Sequence, residues 1–277
     1  MINRILVGFD GSELGRAAFD HALILARAGR MSIHAFHLIE PPPPTPIVGD
    51  AVAGFDPNPI LVGEARAERR EEQEERDWAR RSLETLAEEA ARHAIPYSFE
   101  VGSGRLVHWL VDRATSQDLI CVGRKGRFSR AGIGSSTKDL VRHASCPVLV
   151  ASAKPGELRR ILCVDDGAEC AAHAVEAART LAKQTGWPLR ALATKGRHAS
   201  AEQAAARLAQ NAPEAEVVED SDANASEVHR IEAFLKAAPD GLLVLGAYSE
   251  NWINQLLFGS TAAELLARAE TPVILVR

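Results

Sequence analysis

At 277 residues the chain has room for one large domain or two modest ones. With 46% hydrophobic and 25% charged residues it sits at the globular average, which excludes disorder, collagen and coiled coil for the chain as a whole. A formal net charge of -5 offers no general basic field to a nucleic-acid backbone, and no window approaches the roughly 18 consecutive apolar residues of a membrane helix.

Met1 runs directly into a strand-like segment, Arg4 to Phe9, without the pattern of a secretory leader. The four cysteines, Cys121, Cys146, Cys163 and Cys170, form no CxxC pair and are too few to staple a chain of this size, so a reducing, cytoplasmic setting is expected. A helix is predicted over Ser12 to Ala28 and a second strand over Met31 to Ile39. Pro41 to Pro46 then opens a Gly/Pro-rich loop that lasts to about Gly63. The charged run Glu64 to Arg81 reads as the solvated face of a long helix ending near His93, with Trp78, Leu83 and Leu86 facing inward. The alternative is a lid or partner-binding loop over a site at the same end of the sheet. Strands over Tyr97 to Val101, Asp118 to Gly123 and Val148 to Ala151 alternate with helices over Arg105 to Thr115 and Ser136 to His143. Continuous apolar strands joined by helices predict an α/β fold, a doubly wound parallel sheet covered on both faces.

The pattern then starts again. Arg4-Ile5-Leu6 recurs as Arg160-Ile161-Leu162 and Asp10-Gly11 as Asp166-Gly167, both at an offset of 156. Near the far end, Gly134-Ser135 matches Gly259-Ser260 and Pro147-Val148 matches Pro272-Val273, at an offset of 125. The chain is a tandem duplication whose second copy has lost 31 residues net, in the connection after Lys195. Two domains are expected, 1–152 and 159–277, with Lys154-Pro155-Gly156 as linker. Duplicated domains commonly replace the isologous contact of a homodimer, so the halves should pack as a pseudo-dimer that brings Val148-Leu149-Val150 beside Val273-Ile274-Leu275-Val276. A homodimer of whole chains is left open.

An open parallel sheet binds ligands beyond the carboxyl ends of its strands. Asp10 ends the first strand there, with Asp166 as its counterpart, able to accept hydrogen bonds from a ligand's amine or hydroxyl groups; capping of the next helix is a compatible second role. The fourth strand ends in Gly123-Arg124-Lys125-Gly126, and Gly134-Ser135-Ser136-Thr137 opens a helix. Glycines admit an anion close to the backbone, while free amides and hydroxyls at a helix start donate to phosphate.

On these residues the chain resembles the universal stress protein family in its tandem two-domain form. That family carries a strand-end Asp and a phosphate motif of G, two residues, G, nine residues, then G with Ser or Thr. Gly123, Gly126, Gly134 and Ser135 match it in the first copy, although seven residues separate the second and third glycines. In the second copy Gly246, Gly259 and Ser260 match with the full nine residues, but Ser249 replaces the second glycine. The resemblance implies two Rossmann-like domains of the adenine nucleotide alpha hydrolase kind. It further implies ATP as bound ligand, with Mg carried through the phosphates. Adenine would lie near Asp10 and Leu38 and the phosphates on Gly123, Gly126, Gly134, Ser135 and Ser136. The corresponding second, weaker set is Asp166, Gly246, Gly259, Ser260 and Thr261. Arg124, Lys125 and Arg127 favour the first site, where the second offers Ala247, Tyr248 and Glu250.

No P-loop, HExxH or GxSxG pattern is present, so no catalytic residue is assigned and no metal site is expected. Three function classes follow: a nucleotide-binding stress or regulatory protein, an assembly module with degenerate sites, and a slow nucleotide hydrolase. The first is preferred. Neither nucleic acid nor membrane is expected as a partner.

Overall fold

A computed structural model describes residues 1–40, 59–124, 134–153, 155–196, 199–219, 225–246 and 270–277. The first half runs β1 (Arg4–Gly8), α1 (Glu13–Gly29), β2 (Ser32–Ile39), α2 (Pro59–Arg92), β3 (Tyr97–Ser103), α3 (Leu106–Arg113), β4 (Asp118–Gly123), α4 (Ser135–His143) and β5 (Val148–Ala151). The second runs β6 (Arg160–Asp165), α5 (Glu169–Thr185), β7 (Leu189–Ala193), α6 (Ala201–Asn211), β8 (Glu216–Glu219), α7 (Glu227–Lys236), β9 (Gly241–Gly246) and β10 (Val273–Val276).

Among the described residues ten strands form one sheet in the order β3-β2-β1-β4-β5-β10-β9-β6-β7-β8. Every pairing is parallel except the central one, where β10 runs antiparallel to β5 with Val273 opposite Val150, Ile274 opposite Leu149 and Leu275 opposite Val148. The two terminal segments that the duplication predicts to meet are therefore hydrogen-bonded neighbours, both buried throughout. Their strand order reads outward identically in each half, which is an approximate two-fold arrangement within one chain.

Apolar runs such as Leu119-Ile120-Cys121-Val122 in β4 and Leu242-Leu243-Val244-Leu245 in β9 are buried on both faces because helices cover both. One core joins α1, α2, α5 and α6 to the sheet, and the other joins α3, α4 and α7. Each core crosses the join. Gln184 of α5 reaches into the first copy, accepting from Ile2 N at 3.0 Å and donating to Gly29 O at 3.1 Å. Arg4 pins β1 to β4 through a bidentate pair with the buried Asp118, both contacts 2.9 Å. Burial pushes the Asp118 carboxyl upward, but hydrogen bonds from Arg4 and Thr115 outweigh it and hold the group below its ordinary range.

The helix predicted from Glu64 begins earlier, at Pro59. Proline in a first turn loses no hydrogen bond that the helix needs, so the segment read as loop up to Gly63 is helical from Pro59. This 34-residue helix is about 50 Å long at 1.5 Å per residue. Its carboxyl-terminal part packs through Ala79, Leu83, Leu86 and Ala90, whereas residues 67–74 are exposed and laced by pairs such as Arg70–Glu74 and Glu72–Arg76. Its counterpart α6 has 11 residues, which is where much of the missing length was taken out.

Cys121, Cys146 and Cys163 are buried and Cys170 is half-buried. Burial pushes the Cys146 and Cys163 thiols up to about 12, and that of Cys121 higher still. In native protein at pH 8, Ellman's reagent should therefore titrate at most one thiol, Cys170, and all four only after unfolding. Rapid reaction of two or more in the native state would contradict the burial.

Candidate functional site

In the first copy, β1 delivers Phe9 and Asp10 into a turn closed by Gly11, whose φ of +74° favours glycine. Asp10 Oδ1 accepts from Ser12 N at 3.0 Å and from Ser12 Oγ at 2.6 Å. Ser12, not Asp10, is the N-cap of α1, its Oγ accepting from Gly15 N at 3.0 Å. The capping role considered for Asp10 therefore falls to Ser12, and the Asp10 carboxylate is instead held at the strand end by the cap residue's amide and hydroxyl. Leu38, half-buried, lies near the end of β2, two residues beyond Phe36, which pairs with Gly8 of β1.

The start of α4 is hooked onto the end of β4. Thr137 Oγ1 donates to Gly123 O at 3.1 Å and Gly134 N donates to Arg124 O at 2.9 Å. Ser135 and Ser136 are exposed in the first turn of α4, and the N-cap Gly134 supplies no side-chain cap to that turn. First-turn amides without a side-chain cap are what an anion requires. Gly123 also has a packing role, because a Cβ there would come within 3.0 Å of the Leu14 backbone. Asp10, Leu38, Gly123, Gly134, Ser135 and Ser136 are thus all set at the carboxyl ends of the first-copy strands. Gly126, with Lys125 and Arg127, lies outside the described residues.

Three neighbouring side chains that the motif reading does not single out complete this end. Trp78 of α2 stacks near-parallel on Phe9, with ring centroids 6.5 Å apart, and meets His37 edge-on at 5.5 Å. A Cβ on Gly11 would overlap the Trp78 ring. His37, 4% exposed, donates from Nδ1 to Phe9 O at 2.9 Å, and its Nε2 stands 3.4 Å from Glu75 Oε1. Trp78 thus faces inward, as the helical reading of the charged run expects, and its ring lies against Phe9, Gly11 and His37 at the strand ends.

The second copy is built differently at the same point. Asp166 Oδ1 accepts from Ala168 N at 3.0 Å, and Gly167 repeats the positive φ at +87°. The counterpart of Phe9 is Asp165, whose carboxylate is buried and paired with Arg207 of α6. Arg207 Nε lies 2.9 Å from Asp165 Oδ2, and its other nitrogens donate to Gly167 O at 3.0 Å and Ala168 O at 3.3 Å. The connection after β7 folds onto the same turn, so that a Cβ on Gly167 would overlap Ala199 and one on Gly196 the Asp166 carbonyl. At Gly246 a Cβ would lie 2.5 Å from the Cys170 carbonyl oxygen. Gly259, Ser260 and Thr261, with Ala247 to Glu250, lie outside the described residues.

Among the described residues no three His, Cys, Asp or Glu side chains gather to hold a metal, and no helix is long and apolar enough to cross a membrane. Against solved structures, the chain is similar in fold to a universal stress protein from Archaeoglobus fulgidus DSM 4304, with 16% identity, 99% of this chain and 98% of that one covered, and a TM-score of 0.67. A putative universal stress protein from Pseudomonas aeruginosa UCBPP-PA14 matches with 16% identity, 99% and 93% coverage and a TM-score of 0.62. No curated protein matches the chain. The model of the universal stress protein family matches residues 1–152 and, a second time, 157–277. A family matched twice over nearly the whole length, on a sheet whose halves repeat one another, makes this chain a tandem member of the universal stress protein family.

Proposed function

We propose that the first copy, residues 1–152, binds an adenine nucleotide, ATP, in a stress-response or regulatory role, and that it binds without efficient turnover. The observation that carries this reading is the start of α4, where exposed Ser135 and Ser136 and amides without a side-chain cap stand at the same strand ends as the Asp10 carboxylate. The residues present fit the ligand's chemistry. Asp10 accepts from amine or hydroxyl groups, the helix start donates to phosphate, and Arg124, Lys125 and Arg127 lie in the adjoining sequence. Mg would accompany the phosphates.

The rival reading, assembly, is favoured by one observation in the second copy, residues 159–277. There Arg207, Ala199 and Gly196 already cover the turn that carries Asp166. We assign that copy chiefly to completing the shared sheet.

Calorimetric titration with ATP and Mg tests the assignment. The wild-type chain should bind at one dominant site. Ser136→Asp, which sets a carboxylate against the phosphates, should weaken binding tenfold or more, about 1.4 kcal/mol, and Thr261→Asp should leave it within twofold. Equal losses in both variants would place ATP in both copies, and loss in Thr261→Asp alone would reverse the ranking.

A further inference from the structure

In the first copy one face of the strand-end turn is aromatic. Trp78 is half-buried, with Phe9 on one side, His37 at its edge and the Gly11 backbone below it. In the second copy the same place holds an acid and a base. Asp165 stands where Phe9 does, Ala193 where His37 does, and Arg207 reaches in from α6. Core packing alone demands no aromatic wall here, since the duplicate folds without one.

His37 adds a polar feature. The Phe9 carbonyl can only accept, so Nδ1 carries the proton, and Nε2 is left buried without a hydrogen-bond partner among the described residues, facing the Glu75 carboxylate. With His37 in its neutral form, Nε2 and the Glu75 carboxylate are two acceptors 3.4 Å apart, which suits a group that donates to both. An exocyclic amine on a flat aromatic ring has that character, and the ring itself suits the face of an indole.

Resting on the nucleotide reading above, we infer that Trp78 forms the wall on which the ligand's base stacks, and that His37 Nε2 and Glu75 read an amine on the edge of that base. The site is thereby selective for an amino-purine nucleotide over a bare polyphosphate. The phosphate end is common to both ligands. The aromatic end distinguishes them.

The test compares ATP, inosine triphosphate and inorganic tripolyphosphate on the full chain and on Trp78→Ala and Trp78→Phe. Trp78→Ala should weaken ATP about tenfold or more and leave tripolyphosphate within twofold, while Trp78→Phe keeps most of the ATP affinity. Wild type should prefer ATP to inosine triphosphate several-fold. The chain has four tryptophans. ATP should quench wild-type fluorescence through Trp78, tripolyphosphate should not, and the quench should vanish in Trp78→Phe; this arm decides even if Trp78→Ala fails to fold.

Unchanged or tighter ATP binding by Trp78→Ala would make the ring a bystander or a plug and overturn the inference while the nucleotide reading stands. Parallel loss of ATP and tripolyphosphate would make the ring a support for the turn, and the inference would fall in the same way. Equal affinity for inosine triphosphate would remove His37 and Glu75 from the reading. A wild-type chain that binds no ATP would overturn both proposals.

Discussion

Arg207→Met should lower the stability of the chain by about 3 to 5 kcal/mol, the cost of leaving a buried carboxylate without its partner. The side chain of Asp165 is 2% exposed and that of Arg207 29% exposed, so solvent screens the acid hardly at all. The guanidinium also donates to Gly167 O and Ala168 O, so its loss strips the β6–α5 turn of donors as well as charge. Asp165→Asn combined with Arg207→Met should recover much of the loss, because the neutral amide no longer requires a counter-charge. Urea unfolding of the two single variants and the double variant measures the coupling. A single-variant cost below about 1 kcal/mol would mean that the pair behaves as a surface ion pair.

Gly246→Asp should cost about 3 kcal/mol of folding stability whether or not any ligand binds. Its Cβ would lie 2.5 Å from the Cys170 carbonyl oxygen and 2.6 Å from the carbonyl carbon, both backbone atoms of the first turn of α5 that cannot step aside cheaply. A carboxylate added beside that carbonyl increases the cost. Gly126→Asp is expected to act on the ligand instead. Bulk and negative charge opposite the phosphates should weaken ATP by about 2 to 4 kcal/mol, thirty-fold to a thousand-fold. Thermal unfolding and ATP titration must therefore be run on both variants, since affinity alone would confuse a misfolded second copy with a missing site. A stable Gly246→Asp protein would show that the first turn of α5 yields, and that the glycine there has no packing role.

The architecture was legible because duplication repeats itself in plain residues. Arg4-Ile5-Leu6 and Arg160-Ile161-Leu162 announce β1 and β6, and Pro147-Val148 and Pro272-Val273 announce the strands that join at the centre. The strand-end position of Asp10 and the helix start at Ser135 were also legible, since each follows from a local run of strand, glycine and helix. What fills the ends was not. Arg207 and Asp165 are 42 residues apart and share no motif, and the stack of Trp78 on Phe9 depends on how α2 crosses the sheet. One clue was present, because at the offset of 156 an aromatic residue, Phe9, aligns with an acid, Asp165. A strand-end residue that changes from aromatic to charged between duplicates needs different company in each. The packing role of Gly123 and Gly246 was hidden for the same reason, as the backbone they admit belongs to a helix more than 70 residues earlier in the chain.

The length of α2 has a mechanical consequence. Trp78 rests on Gly11 at the rim of the sheet, and the helix continues from it past Glu75, against His37, and Arg76, bonded to Ser103, to residues 67–74, whose side chains are exposed. Over those eleven residues the rod measures about 16 Å, so a tilt of about 10° at the indole carries the outer end through about 3 Å. That displacement is wider than the tolerance of a hydrogen bond. A tilt too small to disturb the core at Leu83 and Leu86 would thereby be enlarged at the exposed stretch that carries Arg70, Glu72 and Glu74.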